Sequence, residues 1–225
     1  TLTLYSYTGN FSYTGAAQYF TAPVTGNYEI TLYGAKGGAG GLGLCSGGSG
    51  GAGGNGGYVK ATVKLTQGQT YTVWVGGKGK DSSYGDTQEG TGGLSDGVTG
   101  ETGVRVSGGG GGGGGSSYIA LGSTVYLRAN GGGGGGGGAD GGWYRKSNGS
   151  TTCGGCKYRN MGAAGARGGN GGGGTLGGSG AANTCQASGY AGSNGTYYIN
   201  QSYSTLVESE STGTGDGRAT IKYIS

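Results

Sequence analysis

The sequence predicts an all-β protein: a jelly-roll-type sandwich of nine or ten short strands, with glycine-rich polyproline II helices inserted between them. Three observations carry this. Glycine fills 67 of 225 positions and is gathered in blocks. Inside the blocks it recurs with a period of three, most strictly at every third position from Gly162 to Gly180. Between the blocks, apolar and polar residues alternate with the period of two that a half-buried strand requires. A three-residue period fits neither an α-helix nor a strand. It fits a polyproline II helix, which rises about 3.1 Å per residue and has no internal hydrogen bonds. Collagen has the same period but fills its other positions with proline, and this chain contains only Pro23.

The elements follow in order. Thr1 to Tyr7 is rich in β-formers, Gln18 to Thr21 reads as a short strand, and Asn27 to Tyr33 places Tyr28, Ile30 and Leu32 on one face. The first glycine block, about 34–57, keeps its period except for a slip near Cys45, read as a reversal between an outgoing and a returning segment. In 58–75, Val59, Ala61, Val63 and Leu65 alternate with Lys60, Thr62 and Lys64. Thr66 to Gln69 reads as a turn and Tyr71, Val73 and Val75 as the return arm of a β-hairpin. The block 76–103 holds half the acidic residues, and 104–107 reads as a short strand. Tyr118 to Leu121 and Thr124 to Ala129 form a second hairpin around Gly122-Ser123. Eight glycines (108–115) precede it and eight (131–138) follow it. Glycine-rich sequence is ordinarily flexible linker, but equal runs leaving the open end of one hairpin suit packed, antiparallel segments. The last block, about 162–195, leads into the closing strands of 196–224, where Ala219, Ile221 and Tyr223 share a face. All of this reads as one domain, 1–225.

An ordered polyproline II segment must find its hydrogen-bond partners in neighbouring segments, because buried N–H and C=O groups are paired somewhere. The blocks are therefore expected to pack together at one end of the sandwich.

Composition narrows the function. No apolar run is long enough to cross a membrane, and a net charge of +4 argues against nucleic acid. No signal peptide precedes Thr1, which reads as a processed form or an excised fragment. The four cysteines, Cys45, Cys153, Cys156 and Cys185, point to two disulfides and an oxidising compartment. Three pairings are open, and the Gly154-Gly155 spacer favours Cys153–Cys156 with Cys45–Cys185. Half a zinc site is the alternative for Cys153 and Cys156, but no second C-x-x-C and no histidine exists to complete it. Sequons at Asn10, Asn148, Asn194 and Asn200 fit a secreted surface.

Four stretches carry a resemblance to a known family. They are YFTAPVTGNYEITLYGAKGGAGG (19–41), GGYVKATVKLTQGQTYTVWVGGKG (56–79), the eight glycines with SSYI (108–119), and DGRATIKY (216–223). In this order they resemble the glycine-rich domain of the anaplastic lymphoma kinase and leukocyte tyrosine kinase receptors, which also occurs in bacterial and protist surface proteins. The resemblance implies a TNF-like sandwich bearing polyglycine helices, and an extracellular, non-catalytic module. It transfers no ligand-contacting residue.

Chemistry is sparse. Gly38-Ala-Gly40-Gly-Leu-Gly43 matches the dinucleotide pattern G-x-G-x-x-G, but more triplet glycine follows where a helix must start. The absence of histidine removes the common general base and the Ser-His and Cys-His nucleophile pairs. The carboxylates between 81 and 101 lack a calcium-loop pattern. No cofactor or metal is expected. The segment 139–161 is the candidate contact surface, because Trp143, Tyr144 and Tyr158 interleave with Arg145, Lys146, Lys157 and Arg159 near two cysteines. A cap over the end of the glycine bundle is the alternative. Trp74 lies in a strand and reads as packing. The expectation is a non-enzymatic extracellular structural or adhesive module, a cell-surface or fibre subunit. Its partner is a protein or glycan surface ligand, or itself. Alternatives are a phage tail-tip adhesin, a receptor-type ectodomain, and an ice-binding protein using Ala163, Ala166, Thr175 and Ala181. No membrane insertion is expected.

Overall fold

Ten strands alternate with glycine segments in a computed structural model that describes residues 7–43, 48–82, 97–103, 107–139, 167–181 and 188–225. They are β1 (Thr8–Ser12), β2 (Gln18–Thr21), β3 (Gly26–Tyr33), β4 (Gly56–Leu65), β5 (Thr70–Trp74), β6 (Ser117–Leu121), β7 (Thr124–Ala129), β8 (Tyr197–Ile199), β9 (Ser204–Gly213) and β10 (Arg218–Tyr223). No helix occurs among the described residues. The strands form two five-stranded antiparallel sheets, β1-β10-β3-β4-β9 and β2-β5-β6-β7-β8.

The period-two pattern decides which face of each sheet is covered. Tyr28, Ile30 and Leu32 of β3 and Val59, Ala61, Val63 and Leu65 of β4 turn inward and are buried. From the other sheet they meet Phe20, Tyr71, Val73, Ile119 and Leu127. Each large side chain removed from water here contributes about 1.5–3 kcal/mol. This layer is the core of an all-β sandwich, the fold class that alternation predicts.

The hairpin expected over 58–75 is not formed. β4 pairs with β3 and β9, whereas β5 pairs with β2 and β6. The turn at Thr66–Gln69 is present, with Gly68 at φ 78°, but it is a corner between sheets. Leu65 and Tyr71 are both buried on the inner faces. The Thr66 N–H donates to the Tyr71 hydroxyl at 3.0 Å, which fixes the corner. Alternation reports which residues face the core, and it is the same whether two consecutive strands lie side by side or face each other. By contrast β6 and β7 do pair as a hairpin, around Gly122 at φ 57°. β9 extends to Gly213, six residues beyond the expected 204–207, because its outward Thr, Glu and Ser side chains hide the pattern. Residues 1–6 and 104–106, expected in strands, lie outside the described residues.

Every glycine segment leaves one strand and returns to a neighbour in the same sheet: β3 to β4, β5 to β6, and β7 to β8. The segments bond to one another through their backbones. Gly37, Gly40 and Gly43 donate to Gly54, Gly51 and Gly48, so the chain does reverse between 43 and 48. Gly108, Gly111 and Gly114 donate to Gly138, Gly135 and Gly132, so the two octaglycine runs lie antiparallel and side by side.

The run 131–138 is the centre of the bundle. Gly132, Gly135 and Gly138 donate to Ala35, Gly38 and Gly41 while accepting from Gly114, Gly111 and Gly108. Gly133 and Gly136 donate to Ser193 and Tyr190 while accepting from Gly54 and Gly51. Gly131 and Gly134 donate to Gly172 and Gly169, and Gly134 and Gly137 accept from Gly178 and Ala181. Residues three apart thus face the same two neighbours, and six segments enclose the run.

The stretch 162–180, which carries the strictest sequence period, is not one segment. The chain folds back at 172–174, where Gly173 and Gly174 take φ of 79° and 91° and Gly171 bridges Thr175. Four successive glycines allow that reversal, and the three-residue phase passes through it unbroken. Residues 162–166 lie outside the described residues.

Candidate functional site

The outer faces of the two sheets carry the side chains that the bundle lacks. On each, one row crosses four strands in register. On the first sheet Arg218, Tyr33, Tyr58 and Glu210 lie opposite one another on β10, β3, β4 and β9. On the second sheet the row is Trp74, Tyr118, Arg128 and Tyr198 on β5, β6, β7 and β8. Their neighbours in the pleat, Val73, Ile119 and Leu127, are buried in the core, so the row faces outward.

The first row has carboxylates of the chain at one end. The Arg218 guanidinium lies 3.8 Å from the Tyr33 ring centroid, and the Tyr33 and Tyr58 rings are 4.7 Å apart. The Tyr58 hydroxyl donates to Glu208 Oε2 at 3.0 Å, and Lys60 pairs with the same carboxylate at 3.7 Å. Burial, helped by the hydrogen bond to Glu208 and its charge, pushes the Tyr58 phenol up to about 12.

The second row contains no carboxylate. Trp74 and Tyr118 stack with rings nearly parallel, 6.3 Å apart, and Arg128 sits 5.8 Å from the Tyr118 centroid. No carboxylate among the described residues pairs with Arg128, and its buried Nε has no hydrogen-bond partner. One strand end away, Asn130 is 7% exposed; its Nδ2 donates to Thr196 Oγ1 at 2.8 Å, while Oδ1 accepts nothing. That oxygen stands against the reversal, since a Cβ added at Gly173 would collide with it. A cavity of about 500 Å³ opens here, walled by Arg128, Asn130, Gly173, Tyr198, Asn200 and the Ser123–Val125 edge of β7. Asn200 is already engaged: its Oδ1 accepts from the Ser202 N–H at 3.1 Å and its Nδ2 donates to the Val125 carbonyl at 3.5 Å.

The sequence-predicted contact residues Trp143, Tyr144, Arg145, Lys146, Tyr158 and Arg159 lie outside the described residues, as do Lys157 and all four cysteines, Cys45, Cys153, Cys156 and Cys185. Trp74, expected as packing, is half-buried and outward, with its Nε1 unpartnered. The small-residue face expected for ice binding is not formed by Thr175 and Ala181, which are 8% and 1% exposed and turned into the bundle; Ala163 and Ala166 lie outside the described residues. Among the described residues no group of three or more His, Cys, Asp or Glu could hold a metal.

Sequence reasoning passed over Arg128 and Asn130. The available signal was the alternation Leu127, Arg128, Ala129, Asn130, which sets a cation and an amide on the outward face beside the octaglycine run. Tyr198 is too far along the chain for its register opposite Arg128 to be legible. No protein-family model matches the chain, and no curated protein matches it.

Proposed function

We propose that the chain is a non-enzymatic extracellular structural and adhesive module that binds a protein or glycan surface ligand, or a second copy of itself, without a cofactor. The observation that carries this reading is the second sheet's outer face. There a half-buried cation with no carboxylate partner among the described residues and a buried acceptor without a donor line a cavity, Arg128 sitting where β7 pairs with both β6 and β8. Such groups are arranged to bind, and neither histidine nor an acid–base pair stands among them.

The bundle supports the structural half. We infer that its segments are polyglycine helices of polyproline II type, because the residues facing one neighbour recur every third position. A slab cross-linked through its backbone is stiff and offers few side chains for recognition. It serves to hold the sandwich and the far end of the bundle apart. The resemblance to the receptor glycine-rich domains supports the same reading.

Described segments end together at the side of the bundle far from the sandwich: Gly43 donates to Gly48, and Gly108 and Ala181 donate to the Gly138 and Gly137 carbonyls. The cysteines lie in the intervening stretches of sequence, which supports their pairing as two disulfides in an oxidising compartment. Trp143, Tyr144, Arg145, Lys146, Tyr158 and Arg159 belong to one of those stretches and are a second proposed contact surface. Self-association is favoured by β9, a ten-residue edge strand with Leu206 and Val207 exposed.

Adhesion itself is the test. Beads coated with the intact chain are offered glycan-coated and protein-coated surfaces, and each other. Retention on one surface, or clumping, is expected. Passage at the rate of blank beads in every case overturns the reading.

A further inference from the structure

The two outer rows differ in one respect that bears on ligand chemistry. Each has a guanidinium against a tyrosine ring. In the first sheet the chain's own carboxylates stand at one end of the row, Glu210 opposite Tyr58 and Glu208 accepting from the Tyr58 hydroxyl and pairing with Lys60. In the second, no carboxylate among the described residues reaches Arg128. A half-buried guanidinium with a desolvated, unpartnered N–H is costly. Its contact with the Tyr118 ring offsets part of that cost, and an anionic ligand would offset more.

Three features restrict what would bind. The Arg128 guanidinium, on the cavity wall and without a carboxylate partner among the described residues, suits an anionic acceptor, best a planar carboxylate that its fork can grip. Asn130 Oδ1, held by the Nδ2 bond to Thr196, asks for a hydroxyl or N–H donor. Tyr198, half-exposed on the cavity wall, offers an aromatic surface. The volume of about 500 Å³ suits a small-molecule-sized group. Peptides commonly bind a sheet by adding a strand to a free edge. At Arg128 that mode is closed, because Leu127–Ala129 of β7 pair with both β6 and β8; the edge of this sheet is β8. Recognition within the cavity therefore comes from side chains and suits a compact, ring-shaped ligand that carries a carboxylate, hydroxyls and an apolar C–H face.

We propose that this cavity is a binding site for a carboxylated sugar, a uronic-acid-type residue of a glycan, with its carboxylate on Arg128, a hydroxyl on Asn130 Oδ1 and a ring face on Tyr198. The proposal rests on the reading of the chain as a binding module and names the ligand class of one of its surfaces. Neighbouring sugars of the glycan would run over Tyr118 and Trp74, since the row spans about 14 Å at about 4.8 Å per strand.

The probe is a trigalacturonate, titrated calorimetrically into the intact chain beside its methyl ester, which keeps the shape and loses the charge. Saturable binding of the acid is expected, with the ester at least about tenfold weaker, the worth of one charge-assisted hydrogen bond. Arg128→Gln should reduce acid binding by a similar factor while its unfolding midpoint stays level or rises, because an unpaired cation has been removed. Tyr198→Ala should weaken acid and ester alike. The proposal is overturned if the ester binds as well as the acid, or if Arg128→Gln binds normally. It also fails if a short peptide with a free C-terminal carboxylate competes for Arg128 and outbinds the sugar, which would assign the site to protein ligands. Absence of any binding by the acid at millimolar concentration overturns it too. In that case adhesion by the coated beads, if retained, leaves the broader reading standing.

Discussion

Gly134 shows why a residue without a side chain is required at the middle of the bundle. Its N–H donates to Gly169, its carbonyl accepts from Gly178, and a Cβ placed on it would stand on the Gly111 carbonyl, far inside the 3.0 Å that real contacts respect. Backbone cannot rotate aside as a side chain does. Gly134→Ala is therefore expected to cost at least about 3 kcal/mol, the upper part of the range for overpacking, read as a fall in the unfolding midpoint. Ala52→Ser, at an exposed position of a segment with only three neighbours, should leave the midpoint within about 0.5 kcal/mol of the parent. Tyr58 gives a pH test. Its phenol is buried and hydrogen-bonded to Glu208, and its ionisation is displaced to about pH 12, whereas an unfolded tyrosine ionises near about 10. Below that value both states are neutral and the contribution is complete. Between about pH 10 and 12 the unfolded chain loses the proton first, so stability falls as pH rises. Tyr28 and Tyr126, also raised by burial, act in the same direction. Denaturant midpoints measured across this window should decline, and less steeply in Tyr58→Phe.

Among the elements, glycine density follows the number of neighbours. The run 131–138 has six neighbouring segments and no side chains; 108–115 bonds to five segments and has none either. Segments 34–43 and 167–172, with four neighbours each, keep a side chain at every third position, as at Lys36, Ala39, Leu42 and Asn170. Segment 97–103, with two neighbours, reads Gly-Val-Thr-Gly-Glu-Thr-Gly, glycine only once per three residues. Burial of successive sides thus removes successive classes of side chain, and unbroken glycine rather than strict triplets marks the centre. This explains why the sandwich and its strands are largely legible, while the strictest triplets, from Gly162 to Gly180, do not mark the centre of the bundle. The period is local and survives a reversal; the neighbour count is a property of the assembled bundle. The candidate site was illegible for a related reason. Arg128 and Tyr198 meet only through the pairing of β7 with β8, with four bundle segments of the chain between them. Hydrogen exchange tests the ranking: amides of 131–138 are expected to exchange at least about tenfold more slowly than those of 97–103, since one set opens only with the bundle and the other can fray. Equal rates would show that the centre is not enclosed.

At the scale of the whole molecule, the two halves are stabilised by different physics within one chain. The sandwich buries Tyr28, Ile30, Leu32, Val63, Ile119 and their neighbours, an apolar layer of the ordinary kind. The bundle buries peptide groups, and its fully enclosed segment contributes no side chain at all. Exposing apolar surface raises the heat capacity on unfolding, whereas exposing polar surface lowers it. An ordinary chain of 225 residues would unfold with a heat-capacity change of about 3 kcal/mol/K. Here the bundle's share is expected to be small or negative, so calorimetry should give less than about two-thirds of that value. Stability should then vary little with temperature and fade slowly on cooling, because the bundle depends on hydrogen bonds rather than on hydrophobic burial. The halves should nonetheless unfold together. Each glycine excursion begins and ends on paired strands, β3 with β4, β5 with β6, β7 with β8, so loosening the bundle frees both ends of every pair. A single calorimetric transition, coincident with the loss of Trp74 fluorescence environment, is the expected result. A heat-capacity change of ordinary size would mean that the glycine segments are solvated rather than packed. Two separated transitions would mean that sandwich and bundle are independent units joined only by the chain.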